Sequence, residues 1–180
     1  MQIPENVEVN GKKISIKKLL GKGKGGYSYL AEKDGKNYTL KQIHHEPCDY
    51  FQFGNKIEAE SRDYQRLLEA GVNIPKLYEI DFEKEIVLKE FIDGEDIVSL
   101  IKNNKMKDEY LSQAREMAEK INAKGLNLDY YPTNFIVQNE KLFYIDYECS
   151  EYSDEWNFEN WGKKYWSKTE DFKNSFCKDE

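Results

Sequence analysis

Three polar residues in the last third of the chain have the types and the spacing of a phosphoryl-transfer centre. Asn134 follows Asp129 by five positions, and Asp146 follows Asn134 by twelve. The residues between the amide and the second acid, Phe135–Val137 and Leu142–Ile145, predict a pair of short strands. Such an arrangement brings one base and two oxygen ligands for a hard cation to the same end of a hairpin. The spacing therefore indicates metal-assisted transfer of a phosphoryl group.

A glycine-rich loop lies upstream, where Gly21, Gly23 and Gly26 fit the pattern G-x-G-x-x-G. This pattern occurs in loops that bind dinucleotides and in flaps that cover the phosphates of ATP. A dinucleotide-binding loop must open a helix, whose amide dipoles meet the pyrophosphate. Here the following residues alternate bulky with small or polar side chains, which favours strands and therefore the flap.

The residues after this loop predict a hairpin that carries Lys41. Tyr27–Ala31 and Asn37–Lys41 alternate like strands, and Asp34-Gly35 between them is a strong signal for a two-residue turn. The chain up to Ile43 is therefore expected to form two or three strands.

A helix predicted over residues 55–70 decides which of its acids points inward. At about 100° per residue an apolar stripe forms on one side, and Glu58 lies roughly 120° from its centre. The stripe consists of Ile57, Glu60, Tyr64, Leu67 and Leu68. We therefore expect Glu60 to face the core, unless the helix phase differs by one residue, in which case Glu60 is an exposed acid.

The remaining periodicities predict a mixed α+β chain. Strands are expected around residues 76–80 and 85–90, and helices around residues 97–102 and 108–124, the longer of which should end at Gly125. No repeat or low-complexity segment interrupts this order.

The composition fits one compact domain or two small lobes. The chain has 180 residues, of which 39% are hydrophobic and 14% aromatic, so it can bury a core. Its apolar runs are short and its first residues lack a basic and then apolar leader, so we expect a soluble, cytoplasmic protein without a membrane partner. Cys48, Cys149 and Cys177 have no paired spacing and should be reduced thiols, and His44 and His45 should be surface residues.

Charge is distributed unevenly. Residues 1–46 contain nine Lys and five Asp or Glu, whereas the whole chain has a net charge of −7. The basic excess coincides with the glycine loop, where it would attract phosphate, although a solvated lysine-rich face explains most of it. The acidic total, and the lack of a basic stripe interleaved with aromatic residues, argue against nucleic acid as a partner.

Taken in order, these segments resemble the protein-kinase-like superfamily over residues 15–150. The resemblance implies an α+β, bilobal protein-kinase-like fold. A β-rich nucleotide-binding lobe would cover residues 1–92, and a truncated, mainly helical catalytic lobe would cover residues 93–180. Asp146-Tyr-Glu148, in place of Asp-Phe-Gly, looks more like aminoglycoside and choline phosphotransferases than typical Ser/Thr kinases. The small size is similar to that of RIO-like and other minimal, atypical kinases of bacterial type.

For the first lobe the resemblance implies residues that hold ATP. Gly21, Gly23 and Gly26 would let the backbone approach the phosphates. Lys41 would bind the α- and β-phosphates, oriented by Glu60, which follows it by nineteen positions.

For the rest of the chain the resemblance implies adenine contacts, a base and a metal site. Glu90 and Ile92 would meet the adenine edge through backbone groups. Asp129 would accept or orient the hydroxyl proton, and Asn134 with Asp146 would bind Mg²⁺.

Four positions depart from the family pattern. Asn127 and Leu128 stand where the family has His or Arg before the catalytic Asp, Tyr131 replaces a basic residue, and Lys89 replaces an apolar residue of the adenine pocket. Without the arginine, control by a phosphorylated activation loop is not expected. The missing basic charge would have to come from Mg²⁺, Lys41 and either Lys22 or Lys24 of the glycine loop.

The sequence thus predicts a kinase that transfers the ATP γ-phosphoryl group to a hydroxyl acceptor, preferably a protein Ser/Thr. The alternatives are a small-molecule kinase acting on an aminoglycoside or choline-like alcohol, and a non-catalytic, nucleotide-binding pseudokinase.

The last thirty residues hold all three tryptophans, Trp156, Trp161 and Trp166. Each such ring buries about 150–250 Å² somewhere. We expect a final helix packed under the Asp129 loop, with a platform for a partner or substrate as the alternative.

Overall fold

The computed structural model describes residues 5–47 and 54–178. Cys48 lies outside the described residues. The chain divides into two compact units: Met1–Arg62 with Pro75–Phe91, and Asp63–Ile74 with Ile92–Glu180. The predicted lobe boundary after residue 92 remains a prediction. The mixed α+β fold class is confirmed, with a curled sheet in the first unit and few helices.

The first unit is built on a sheet that has six strands within the described residues, in the order β1-β2-β3-β4-β6-β5. The strands are β1 (Asn6–Val9), β2 (Lys12–Lys22), β3 (Gly26–Lys33), β4 (Lys36–Ile43), β5 (Leu77–Asp81) and β6 (Ile86–Glu90), and helix α1 (Lys56–Ala70) precedes β5. Four strands thus precede residue 44, where the sequence predicted two or three. The predicted turn between β3 and β4 is confirmed, since Asp34 and Gly35 have φ values of 52° and 75°, as a type I′ turn requires.

Two features of the first unit and its helix decide where side chains point. One face of the sheet packs into a core that includes Val9, Ile14, Leu40 and Leu88, so the alternate residues of β4, Lys41 among them, lie on the opposite face. Along α1, Glu60 is buried and Glu58 exposed, as predicted.

One residue of the predicted α1 stripe is misplaced. Leu68 is 52% exposed, and Asp63, which the periodicity left outside the stripe, is 4% exposed. The prediction for Leu68 was therefore wrong. Asp63 accepts a hydrogen bond from the backbone N–H of Cys149 at 3.5 Å and pairs with Arg66 at the same distance, which offsets the cost of burying its charge.

Besides residues 63–70 of α1, the second unit contains three α-helices and two small sheets within the described residues. Its elements are β7 (Glu95–Asp96), α2 (Ile97–Lys102), α3 (Asp108–Asn122), β8 (Leu126–Leu128), β9 (Phe135–Gln138), β10 (Lys141–Tyr144), β11 (Cys149–Glu151) and α4 (Glu170–Phe176). The sheet orders are β10-β9-β7 and β11-β8. Helix α2 has the predicted bounds because the Asp96 carboxylate caps it, accepting from the Ser99 backbone N–H at 2.8 Å. Helix α3 ends at Asn122, and Gly125 lies two residues beyond its cap, Ala123.

The C-terminal segment packs against the Asp129 loop through one of its tryptophans. Trp166 is fully buried, its indole Nε1 donates to the Tyr130 carbonyl at 2.9 Å, and its ring contacts Phe158 and Phe135. Gly162 permits this packing, because a Cβ there would lie 2.5 Å from the Tyr130 Cβ. The C-terminal segment thus packs against this loop as predicted, but Trp166 makes the contact from outside the final helix, α4.

Two further results concern the described residues alone. Cys149 is a buried free thiol and Cys177 a half-buried one. No helix in the described ranges is both long and apolar enough to cross a membrane.

Candidate functional site

The glycine loop joins β2 to β3 and is braced by His44. The loop closes on itself, since the Gly23 N–H donates to the Gly26 carbonyl at 2.9 Å. The His44 N–H donates to the Gly25 carbonyl at 3.2 Å, and His44 Nε2 lies 3.0 Å from the Gly23 carbonyl oxygen. His44 is therefore half-buried and structural, which corrects the expectation of a surface residue. No motif marked it, because both contacts come from residues about twenty positions away.

The three predicted glycines differ in why glycine is needed. A Cβ on Gly26 would lie 2.6 Å from the Gln42 carbonyl oxygen, so the hairpin itself excludes a side chain there. A Cβ on Gly21 would meet nothing within 4 Å, and one on Gly23 only the Gly26 oxygen at 3.8 Å. The fold therefore does not demand glycine at Gly21 or Gly23, whereas close approach of a ligand to the backbone would.

Lys41 and Glu60 form a buried ion pair. Their side chains are 10% and 11% exposed, and the Lys41 ammonium donates to Glu60 Oε1. Lys41 Nζ also lies 3.9 Å from the position that a Cβ of Gly25 would occupy. The ammonium is thus held beside the glycine loop by a carboxylate that the surrounding protein keeps from water.

A second lysine lies on the same face of the sheet. Thr39 pairs with Lys89, and Lys41 pairs with Val87, across β4 and β6, so these side chains share a face. Lys89 is 5% exposed. At this position, where the family has an apolar residue, the chain thus has a buried lysine on the strand next to the one that carries Lys41.

The residues predicted to meet adenine lie at the end of β6 and just after it. The Glu90 backbone N–H donates to the Lys76 carbonyl at 2.8 Å, and the Glu90 carboxylate accepts from the Lys76 N–H at 3.0 Å. The N–H of Glu90 is therefore not the group that would meet a nucleotide. The side chain of Ile92 is 3% exposed. An adenine contact by either residue remains a prediction.

In the second unit the Asp129 loop is fixed by backbone and side-chain bonds. Asp129 directly follows β8, and its Oδ1 accepts from the Tyr131 N–H at 3.1 Å, which forms an Asx turn. The Asn134 side-chain nitrogen donates to the Asp129 carbonyl at 3.3 Å. The Ile145 N–H donates to the Asn134 carbonyl at 2.9 Å, which ties the loop to the residue before Asp146.

This arrangement brings Asp129, Asn134 and Asp146 to one end of the β9–β10 hairpin. Because the Asn134 nitrogen is used by the loop, its Oδ1 is the atom that a cation would meet. Asp146 follows one residue after Ile145, and all three polar side chains are half-buried. Within the described ranges no three His, Cys, Asp or Glu side chains form a metal cluster. An amide oxygen and a carboxylate nevertheless suit Mg²⁺, which takes its other ligands from phosphates and water.

Tyr144 is a functional candidate that sequence reasoning missed. Its ring is fully buried, its hydroxyl donates to the Glu148 carbonyl at 2.8 Å and accepts from the Asp129 N–H at 3.3 Å. Burial raises the pKa of this phenol well above its ordinary value, and the nearby negative charges of Asp146, Asp129 and Glu148 raise it further. Tyr144 therefore stays protonated and holds the Asp129 backbone. A tyrosine at a strand end carries no sequence signal for this role.

The departures before and after Asp129 also have structural partners. Asn127 is 1% exposed, and its side-chain nitrogen donates to the Ser153 carbonyl at 3.0 Å. At a position where the family has His or Arg, this chain thus uses an amide that ties β8 to the segment after β11. The Tyr131 ring packs 5.3 Å from Tyr165 and 5.1 Å from Phe176, between centroids. It offers aromatic packing and no positive charge.

Comparisons with known proteins match this architecture. The family model described as the RIO domain matches residues 30–160. The KEOPS complex subunit Bud32 of Pyrococcus abyssi is 31% identical over 99 residues, which is 53% of this chain and 44% of the relative. The aligned region thus covers less than half the length of that relative.

Proposed function

Because the chain belongs to the RIO domain family, an atypical branch of the protein-kinase-like superfamily, we propose that it is an ATP-dependent kinase that moves the γ-phosphoryl group to a hydroxyl. Family membership supports a kinase-like, ATP-binding domain. The acceptor, the roles of single residues and the use of Mg²⁺ belong to the proposal. So do the lobe boundary and a cytoplasmic location.

The buried Lys41–Glu60 pair is the observation that carries the proposal. A lysine and a glutamate that are each nine-tenths buried cost several kcal/mol of desolvation, so such a pair is a weak means of stabilising a fold. It is a good means of holding an ammonium in a fixed position, beside a loop whose Gly21 and Gly23 leave the backbone open. Phosphate oxygens are the ligands that such an ammonium and such a backbone accept.

In the second unit Asp129 would accept the proton of the acceptor hydroxyl through the carboxylate that the Asx turn orients. Tyr144 and Asn134 would position the Asp129 backbone through the bonds described above. Asn134 Oδ1 and the Asp146 carboxylate would hold Mg²⁺, which when bound supplies positive charge to the phosphate oxygens. Lys22, considered from the sequence as a further source of charge, pairs with Glu46.

For the acceptor we propose a protein Ser or Thr, with an aminoglycoside or choline-like alcohol as the alternative. The relative's name describes a subunit of a complex, which favours a protein over a small molecule as the partner of this chain too. The resemblance to aminoglycoside and choline phosphotransferases rests on Asp146-Tyr-Glu148 alone.

A nucleotide-binding module without turnover is the second candidate, and one observation favours it. Tyr131, which replaces the family's basic residue, is packed among aromatic rings and cannot neutralise charge on the transferred group. Under this reading the Lys41–Glu60 pair would serve binding alone.

Two measurements test the proposal. Mg-ATP at 100 times its dissociation constant should stabilise the protein by about 2.7 kcal/mol, and Lys41→Met should remove most of this effect. An unchanged melting curve in millimolar Mg-ATP would rule out nucleotide binding.

The second measurement follows labelled phosphate from ATP to the protein itself, to basic proteins and to small alcohols. Asp129→Asn should lower the rate of this transfer about 10²–10⁴-fold and keep the affinity for ATP. If wild type and Asp129→Asn both bind ATP and neither transfers phosphate, the nucleotide-binding module without turnover is the better explanation.

A further inference from the structure

Trp156 begins a row of aromatic rings on the second unit. Neighbouring centroids lie 5.6 Å apart for Trp156 and Trp161, 5.3 Å for Trp161 and Tyr165, 5.3 Å for Tyr165 and Tyr131, and 5.1 Å for Tyr131 and Phe176. We call these five residues the aromatic row. Trp156 is 50% exposed and the other four are half-buried.

The fold does not need the outer end of this row. Trp166, Phe158 and Phe172, at 0–2% exposure, already anchor the C-terminal segment to the core. Trp156, by contrast, touches the row through one neighbouring indole and leaves half its surface in water. Tryptophan is enriched at interfaces, and a contiguous aromatic surface, unlike a single exposed ring, marks a site of interaction.

The Trp156 end of the row is bordered by unneutralised negative charge. Residues 142–162 contain six Asp or Glu and no Lys or Arg. Glu159 is neutralised by Arg115 and Lys163. Glu151, Asp154 and Glu155 are exposed, and none of them forms an ion pair with any residue that the structure describes. Asp154 and Glu155 directly precede Trp156, so two carboxylates border the most exposed indole.

The chain itself shows how this surface takes a cation. Lys164 Nζ lies 5.0 Å from the centroid of the Tyr165 ring, inside the range of a cation–π contact. Indole is a stronger cation–π acceptor than phenol. In the described part of the chain, no Lys or Arg lies over Trp156. The strongest ring of the row, with two carboxylates beside it, therefore lacks the cation that its neighbour Tyr165 has.

We propose that the aromatic row, with Asp154 and Glu155, is a docking surface for an arginine-bearing segment of a protein partner. A guanidinium stacks flat on an indole while its edge donates to a carboxylate, which an ammonium does less well. Nucleic acid does not fit, because its phosphates would be repelled by the acids. A second copy of the chain is disfavoured by the like charges that it would bring to this surface. The docking goes beyond the proposed function, since binding here requires neither ATP nor transfer.

Fluorescence anisotropy of labelled peptides with the full chain tests the proposal. An alternating Arg-Ser peptide should bind, its Lys-Ser counterpart should bind more weakly, and a Glu-Ser peptide should not bind. Trp156→Ala should weaken Arg-Ser binding about 10-fold, the equivalent of one desolvated cation–π contact. The double variant Asp154→Asn/Glu155→Gln should weaken it to a similar extent while it keeps the indole.

Two control variants make the result specific. Glu69→Gln/Glu116→Gln removes two exposed acids elsewhere, and Phe82→Ala removes an aromatic ring that is 54% exposed; both should bind the Arg-Ser peptide like wild type. Equal weakening in the charge control would show unspecific attraction and overturn the proposal. Unchanged peptide binding in both Trp156→Ala and Asp154→Asn/Glu155→Gln would also overturn it. So would tighter binding of an oligonucleotide than of the peptide, or self-association that Trp156→Ala abolishes. If the protein binds the Arg-Ser peptide but does not bind ATP, the proposed function is refuted and the docking surface is not.

Discussion

The Lys41–Glu60 pair permits a prediction that separates stability from function. The two side chains are 10% and 11% exposed, so replacing Glu60 by Gln removes the carboxylate charge that faces a buried ammonium. Removing one partner of a buried pair costs about 3–5 kcal/mol. For a chain of this size about 3 kcal/mol corresponds to a fall in Tm of about 6–12 °C.

The prediction is measured by urea unfolding without nucleotide, followed by circular dichroism. Glu60→Gln should lower the midpoint by the equivalent of about 3 kcal/mol. Glu58→Gln, on the exposed face of the same helix, is the matched control and should change stability by less than about 0.5 kcal/mol. The double variant Lys41→Met/Glu60→Leu should recover most of the loss, because well-packed apolar residues replace a buried pair at little cost.

The double variant Lys41→Met/Glu60→Leu also tests whether the pair serves nucleotide binding. It should be folded and yet gain no stability from Mg-ATP, since the ammonium that would bind phosphate is gone. A loss of less than about 1 kcal/mol in Glu60→Gln would refute the reasoning, because it would mean that water reaches the pair and screens it.

Three further predictions concern single residues. Tyr144→Phe removes the hydroxyl that accepts from the Asp129 N–H and should cost about 1–3 kcal/mol in urea unfolding; unchanged stability would show that water replaces it. Burial raises the pKa of the Cys149 thiol to about 11 from 9.0, so the stability it contributes is complete below pH 9 and lost as pH rises through 11. Wild type should therefore lose about 2–3 kcal/mol more over this range than Cys149→Ala, and parallel curves would contradict this. Gly26→Ala should cost about 1–3 kcal/mol by its clash with the Gln42 carbonyl, whereas Gly21→Ala, with nothing within 4 Å, should be neutral in the same assay.

The parts of the fold that the sequence predicted well are those that depend on neighbouring residues. The Asp34-Gly35 turn was predictable because few residues adopt positive φ, and these two do. The bounds of α2 follow from Asp96 and the apolar residues after it. Glu60 could be placed inward because helix geometry relates it to residues three and four positions away. The spacing of Asp129, Asn134 and Asp146 likewise predicts their position at one end of a hairpin.

The features that the sequence could not predict depend on contacts between residues that are distant along the chain. Leu68 has the helical phase of a core residue but is 52% exposed, whereas Asp63 is buried and accepts a hydrogen bond from Cys149, 86 positions later. Tyr144 and His44 acquired their roles in the same way.

The tryptophans show most clearly the difference between what the sequence determines and what the tertiary structure decides. The sequence by itself determined that the C-terminal segment is aromatic and acidic, that a hairpin carries Lys41, and that a polar loop precedes Asp146. Only the tertiary structure decided that Trp166 fills the core while Trp156 stays half-exposed. The reason is that burial depends on which surface a side chain meets, and Trp166 meets Tyr130, 36 residues away. Periodicity describes one element at a time, whereas packing is decided by pairs of elements.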